Sequence, residues 1–355
     1  MPIFPPLAAT GIGSVPFTDP EAAAALILKH LPELPFWPQM VRRGYAEDMV
    51  PQGARGLPGL VADPDARQVR LDPGVSREIA LAEFYEMLWQ NNLEHFALKE
   101  EEAAGFFALC RAAAGLPSPP LGLKGQVVGP VTFAGMVKDD QEKPILYDRE
   151  FTQAISLGLA KKAAWQAEQF RALGAEAVIF FDEPILTGFG SAFFPVSREE
   201  VAQLLRDALE TTRQSGPVLL GVHCCGNTDW SLVLSLPLDI LSFDSYGYFD
   251  SLALYEDPLR HFLDRGGWLA WGAVPTGEEL ARESAASLWE RFTAQVERLA
   301  ARGLGHRRVL SQALLTPSCG LGYLTPEAAV TALGFLQELS ARARDWLASL
   351  EGRGS

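Results

Sequence analysis

Six short, nearly all-apolar runs most constrain what this chain can fold into: LKGQVVG (123–129), AVIFFDE (177–183), VLLGVHC (218–224), DILSFDS (239–245), WLAWGAV (268–274) and RVLSQAL (308–314). A strand reads this way when both of its faces are covered, as in a parallel sheet. Between and after the runs lie amphipathic helical stretches at 151–174, 197–216, 284–303 and 325–350. Two of them close on Gly174 and Gly303, where a helix C-terminus favours a residue tolerating positive φ. The alternation is βαβα, which predicts a parallel sheet. AATGIGS (8–14) and a short strand around PFWPQM (35–40) bring the count to eight. The expected fold is therefore α/β, a (β/α)8 TIM barrel, with an open doubly wound sheet as the runner-up. Residues 1–350 read as one barrel domain, and 351–355 as a fraying tail. Residues 50–120, rich in helical patterns, read as an insertion between strands two and three.

Composition narrows the function classes. Apolar residues make up 48% of the 355 positions and charged ones 21%, enough for a large buried core. Acidic residues outnumber basic ones by 44 to 30, for a formal charge of −14, and no basic cluster interrupts that balance. Phosphate neutralisation needs a basic face, so nucleic acid is excluded as a partner. No stretch is long and apolar enough to span a membrane, and the first residues lack a charged and then apolar leader; a cytoplasmic protein is expected. Four cysteines, two of them adjacent, do not form the spaced framework of a disulfide-stapled domain. Cys110 lies on a helical apolar pattern and reads as a packing residue.

The unusual polar residues gather just past the carboxyl ends of the expected strands: Ser14, Asp182, Glu183, His223, Cys225, Asp244 and Cys319. In a barrel these ends converge on the face that carries active sites. Within GVHCCGNTDW, neighbouring strand residues point to opposite sides, so His223 and Cys225 share one side while Val222 and Cys224 take the other. An imidazole and a thiolate at i, i+2 make a workable bite for a metal. Cys319, 94 positions beyond Cys225 in the small-residue loop TPSCGLGY, would supply a second sulfur. One nitrogen and two sulfurs suit zinc, and three protein ligands with a labile fourth position suit a catalytic rather than a structural site.

With these motifs in order, GIGSVP, EDMV, KGQVVGPVT, FDEP, HCC and PSCGL, essentially the whole chain resembles the catalytic C-terminal domain of cobalamin-independent methionine synthase. That family belongs to a wider group including uroporphyrinogen decarboxylase and the methylcobalamin:coenzyme M methyltransferases. The resemblance implies a zinc site of His223, Cys225 and Cys319, with Asp244 standing where the family has a longer Glu. It also implies an amino-acid clamp: Ile12, Gly13 and Ser14 for the homocysteine carboxylate, and Asp182 with Glu47 for its ammonium. Two cysteinate ligands would keep a zinc-bound substrate sulfur electron-rich enough to attack a methyl group.

Three departures bear on the donor. The chain has no room for the family's second, N-terminal barrel, Met136 stands in place of its folate-stacking Trp, and WGAVPTGEE contains no histidine to protonate a folate leaving group. The expected activity is methyl transfer to the homocysteine thiol, forming methionine. Methylcobalamin or a methylated corrinoid protein is favoured as donor over methyltetrahydrofolate. Two alternatives are a corrinoid-linked methyltransferase with another thiol acceptor such as coenzyme M, and a non-catalytic zinc-binding barrel. A uroporphyrinogen-type decarboxylase fits less well, because it needs basic residues for many carboxylates and no zinc thiolate site.

Overall fold

The computed structural model describes residues 4–190 and 196–351, so the expected tail lies outside the described residues apart from Glu351, the last residue of the terminal helix. An antiparallel hairpin, β1 (Leu60–Asp63) and β2 (Gln68–Leu71), precedes the main sheet. The sheet itself is parallel, six-stranded and in sequence order: β3 (Gly122–Val128), β4 (Glu176–Asp182), β5 (Leu219–Cys224), β6 (Ile240–Phe243), β7 (Trp268–Val274) and β8 (Ala313–Pro317). Its strands are buried almost throughout, as their unbroken apolar runs require.

Three expectations change. Among the described residues six strands of the parallel sheet are regular, not eight: the segments around Ala9 and Ser14 and around Phe36 and Gln39 join by single parallel bridges. Those bridges nevertheless continue the hydrogen bonding past both sheet edges. Thr10 N donates to Leu315 O (2.9 Å), Gln39 N to Gly13 O (2.9 Å) and Lys124 N to Pro35 O (2.9 Å). The last strand lies later than RVLSQAL, since His306–Ser311 is a helix and pairing begins at Ala313. A short apolar run does not by itself separate a buried helix from a buried strand. The stretch 50–120 is not purely helical either: the β1–β2 hairpin stands between the helices Met49–Ala54 and Arg77–Trp89.

The alternation of side chains sorts the core into two layers. Phe4, Ala8, Val178, Phe180, Ile240, Ala270 and Leu314 cluster on one face of the curled sheet. Ile179, Phe181, Val222, Leu241, Trp271 and Leu315 belong to the larger cluster, which also takes in apolar residues of the surrounding helices. Helix starts are fixed locally. Asp148 accepts from Phe151 N at the head of Arg149–Ala172, and Ser197 and Glu200 form a reciprocal capping box at the head of Arg198–Gln214. Gly174, at φ +81°, ends the first of these as its sequence position anticipates. The terminal helix Pro326–Glu351 ties late residues to early ones: Ser340 Oγ donates to Leu7 O (2.6 Å), and Arg344 pairs with Glu33.

Candidate metal centre at the carboxyl ends of the strands

β5 ends by placing His223 on the opposite face from Val222 and Cys224, both of which lie in the larger apolar cluster. The Cys224 Sγ donates instead to Gly226 O at 3.6 Å, and burial pushes its thiol up to about 12. His223 is only 3% exposed. One ligand atom each from His223, Cys225 and Cys319 lie within 4.8 Å of one another, so residues at the end of β5 and just beyond β8 do meet. The Cys319 loop is seated on the GIGS turn: Leu321 N donates to Ser14 O (2.8 Å), and a Cβ at Gly320 would run into Ser14 Oγ. A larger residue there would require the Ser14 hydroxyl to turn away.

The electrostatics favour one thiolate in the pair. The neighbouring Cys319 thiol and His223 ring hold the Cys225 thiol down to about 4, and its closeness to Cys225 drives the Cys319 thiol upward. Ser242, opposite His223 in the β5–β6 register, lies 2.9 Å from its Nδ1. His223 Nε2 is buried and has no protein partner. A buried ring nitrogen without a partner, on a histidine that gathers with two cysteines, is an arrangement a soft divalent ion satisfies, so these three residues fit a zinc ion.

Asp244 is not one of the three clustered residues. It follows β6 directly and caps the helix Ser245–Leu252, accepting from Gly247 N at 2.8 Å. Burial, reinforced by the charge of Cys225, raises its carboxyl to about 6. Asp182 faces His223 across the β4–β5 register, with Oδ1 buried and unpartnered. Burial raises its carboxyl to about 6, against the pull of the Lys124 charge. Glu47, expected to help hold a substrate ammonium, is buried and already engaged, accepting from Met40 N (3.1 Å) and the Arg43 guanidinium (2.7 Å).

Several polar residues of the site escape a reading of the sequence alone. Lys124 is fully buried in β3, its Nζ donating to the Ile12 carbonyl and to Gln126 Oε1 (3.3 Å) and standing 4.7 Å from the centre of the Phe180 ring. Burial lowers its ammonium to about 8. Glu183 accepts from Val131 N (2.9 Å), Thr132 N (2.8 Å) and Thr132 Oγ1 (2.6 Å), fixing the start of the helix Pro130–Met136. The motifs FDEP and GPVT thus clamp each other. Their separation by about fifty positions hides this from the sequence, where only the strand-end location of Glu183 stands out.

No protein-family profile and no curated protein matches the chain. Solved structures do. A B12-independent methionine synthase from a Shewanella species, in complex with selenomethionine, superposes with a TM-score of 0.58 at 16% identity, covering 97% of this chain and 99% of that one. A methyltransferase from Methanosarcina mazei superposes with a TM-score of 0.55 at 16% identity, covering 95% and 94%. Among the described residues, no helix is long and apolar enough to cross a membrane. At these identities the likeness is one of architecture: the chain shares the overall fold of these two proteins.

Proposed function

We propose that the protein is a zinc-dependent S-methyltransferase, one catalytic barrel domain over residues 1–350, that transfers a methyl group to the thiol of homocysteine and forms methionine. The observation that carries this reading is the meeting of His223, Cys225 and Cys319 beside an unpartnered, buried Nε2. The methyltransferase architecture of both structural neighbours supports it.

In this reading His223, Cys225 and Cys319 hold the ion, with Asp244 as the fourth, exchangeable ligand. Bound zinc supplies the Lewis acidity that makes a substrate thiolate available near neutral pH. The chain's own residues do the rest. The turn Ile12–Gly13–Ser14 receives the substrate carboxylate, its Ile12 carbonyl held by Lys124. Asp182 Oδ1, without a protein partner, receives the ammonium, with Glu47, itself paired with Arg43, as the second acid of the clamp. Buried Lys124 helps keep Asp182 ionised in its apolar surroundings. Methylcobalamin or a methylated corrinoid protein is the donor we favour over methyltetrahydrofolate, because Met136 is an exposed thioether where a folate ring would need an aromatic platform.

Metal analysis of Cys225→Ser and Cys224→Ala tests the site. Cys225→Ser should lose most of its zinc, while Cys224→Ala should keep it. Equal retention in both would remove Cys225 from the ligand set. Methionine formation from homocysteine by the zinc-loaded protein, with methylcobalamin and separately with methyltetrahydrofolate, tests the reaction. Product from neither donor would overturn the proposed activity, and faster turnover of a sulfonate thiol than of homocysteine would reassign the acceptor.

A further inference from the structure

His223 is a ligand with two chemically distinct nitrogens, and only one of them is free to bind a metal. Its Nδ1 lies 2.9 Å from Ser242 Oγ, and both residues are buried, at 3% and 0% exposure. Its Nε2 is enclosed with no protein partner, and one of its ring nitrogens gathers with the sulfurs of Cys225 and Cys319; with Nδ1 turned to Ser242, Nε2 is the nitrogen left for them. The two side chains face each other because His223 and Ser242 are register partners in the parallel β5–β6 pair. A serine hydroxyl either donates or accepts, so the contact alone admits either ring tautomer.

The donor set around His223 breaks the tie. If Nε2 carried the proton, that N–H would be spent on a neighbouring sulfur rather than on a metal. The ring would then also have no lone pair to offer on the side of the sulfurs. With the proton on Nδ1, donated to Ser242 Oγ, the Nε2 lone pair points where the donor set converges. A metal-bound histidine holds its orientation through the hydrogen bond made by its other nitrogen.

We propose that Ser242 is the positioning residue of the metal centre: by accepting from Nδ1–H of His223 it fixes the ring so that Nε2 is the metal-binding atom. The inference rests on the metal half of the proposed function and is independent of methyl donor and acceptor. It goes beyond the ligand set, because Ser242 is not among the clustered donors and lies on a different strand from each of them.

Two measurements on the full chain test it. In cadmium-loaded protein, nitrogen NMR should show scalar coupling from the metal to Nε2 of His223 and a slowly exchanging proton on Nδ1. Ser242→Ala should bind zinc roughly 10–100-fold more weakly in competition with a chelator, and its Nδ1 proton should exchange faster. Ser242→Thr, which keeps the hydroxyl on a strand-compatible side chain, should recover most of the affinity; a general packing defect would not be rescued this way. Coupling to Nδ1 instead of Nε2, or zinc affinity unchanged in Ser242→Ala while wild type binds tightly, would overturn the assignment and leave the metal site standing. A wild-type chain that binds neither zinc nor cadmium would overturn the metal reading, and this inference with it.

Discussion

Glu183 shows how a single carboxylate can organise a site without taking part in its chemistry. It is fully buried and accepts three hydrogen bonds, yet burial still raises its carboxyl to about 7. Glu183→Ala would strand three buried donors at the head of the helix Pro130–Met136, a loss on the order of 3 kcal/mol. Glu183→Gln keeps one acceptor oxygen and should cost about half as much, and urea unfolding of the two variants checks the ratio. At this scale the cysteine pair was legible, because strand periodicity separates Cys225 from Cys224 with no knowledge of the neighbours. Ser242, Lys124 and the clamp made by Glu183 were not. Each acquires its role from a partner on another strand or turn, and that partner is set by register, which composition and spacing do not reveal.

Strand ends set how closely the ligands approach. β7 carries Gly272 at a register shift against β8, where a Cβ would meet Phe243 O at 2.6 Å, the Ser318 Cα at 2.8 Å and the Asp244 Cα at 3.0 Å. These are backbone atoms of both flanking elements, so no side-chain rotation relieves the overlap. Gly272→Ala should therefore wedge the Ser318–Cys319 loop away from the end of β6. The expected result is zinc affinity at least 10-fold weaker by chelator competition, with the far-ultraviolet circular dichroism unchanged; undiminished affinity would mean that this spacing does not govern the centre. The six apolar runs announced five strands nearly to the residue, because cover on both faces leaves little room for polar positions. They misplaced the sixth, where helix His306–Ser311 and β8 share one apolar stretch. The β1–β2 hairpin gave still less warning: its strands are four residues each and half exposed, so their pattern is weak.

Across the whole molecule, buried ionisable groups make stability depend on pH in a predictable sense. Lys162, on the helix Arg149–Ala172, is 1% exposed, makes one long hydrogen bond to Phe96 O (3.4 Å), and has its ammonium lowered by burial to about 8. Its folded pKa lies below the ordinary lysine value of 10.5, so between those two pH values the unfolded chain binds more protons than the folded one. Stability from this group therefore rises with pH across that window, and the cost of burying the charge is fully present below it. Lys162→Met should remove this alkaline rise. The stability difference between variant and wild type, from urea unfolding at pH 7 and at pH 10, should shift in favour of wild type at the higher pH. A difference that does not change with pH would show that Lys162 titrates normally in the folded state.

The seam where early and late residues meet has a consequence for biosynthesis. Leu7 N donates to Ala313 O, Thr10 N donates to Leu315 O, and Leu7 O accepts from Ser340, so this early segment finds several of its partners among residues made some three hundred positions later. A ribosome delivers the GIGS turn long before Cys319, and the turn must wait, unpaired on one side, until that later segment emerges. The candidate metal centre spans the same seam. Its third ligand arrives with the closing strand, so the chain gains its complete set of metal donors only as the ring shuts.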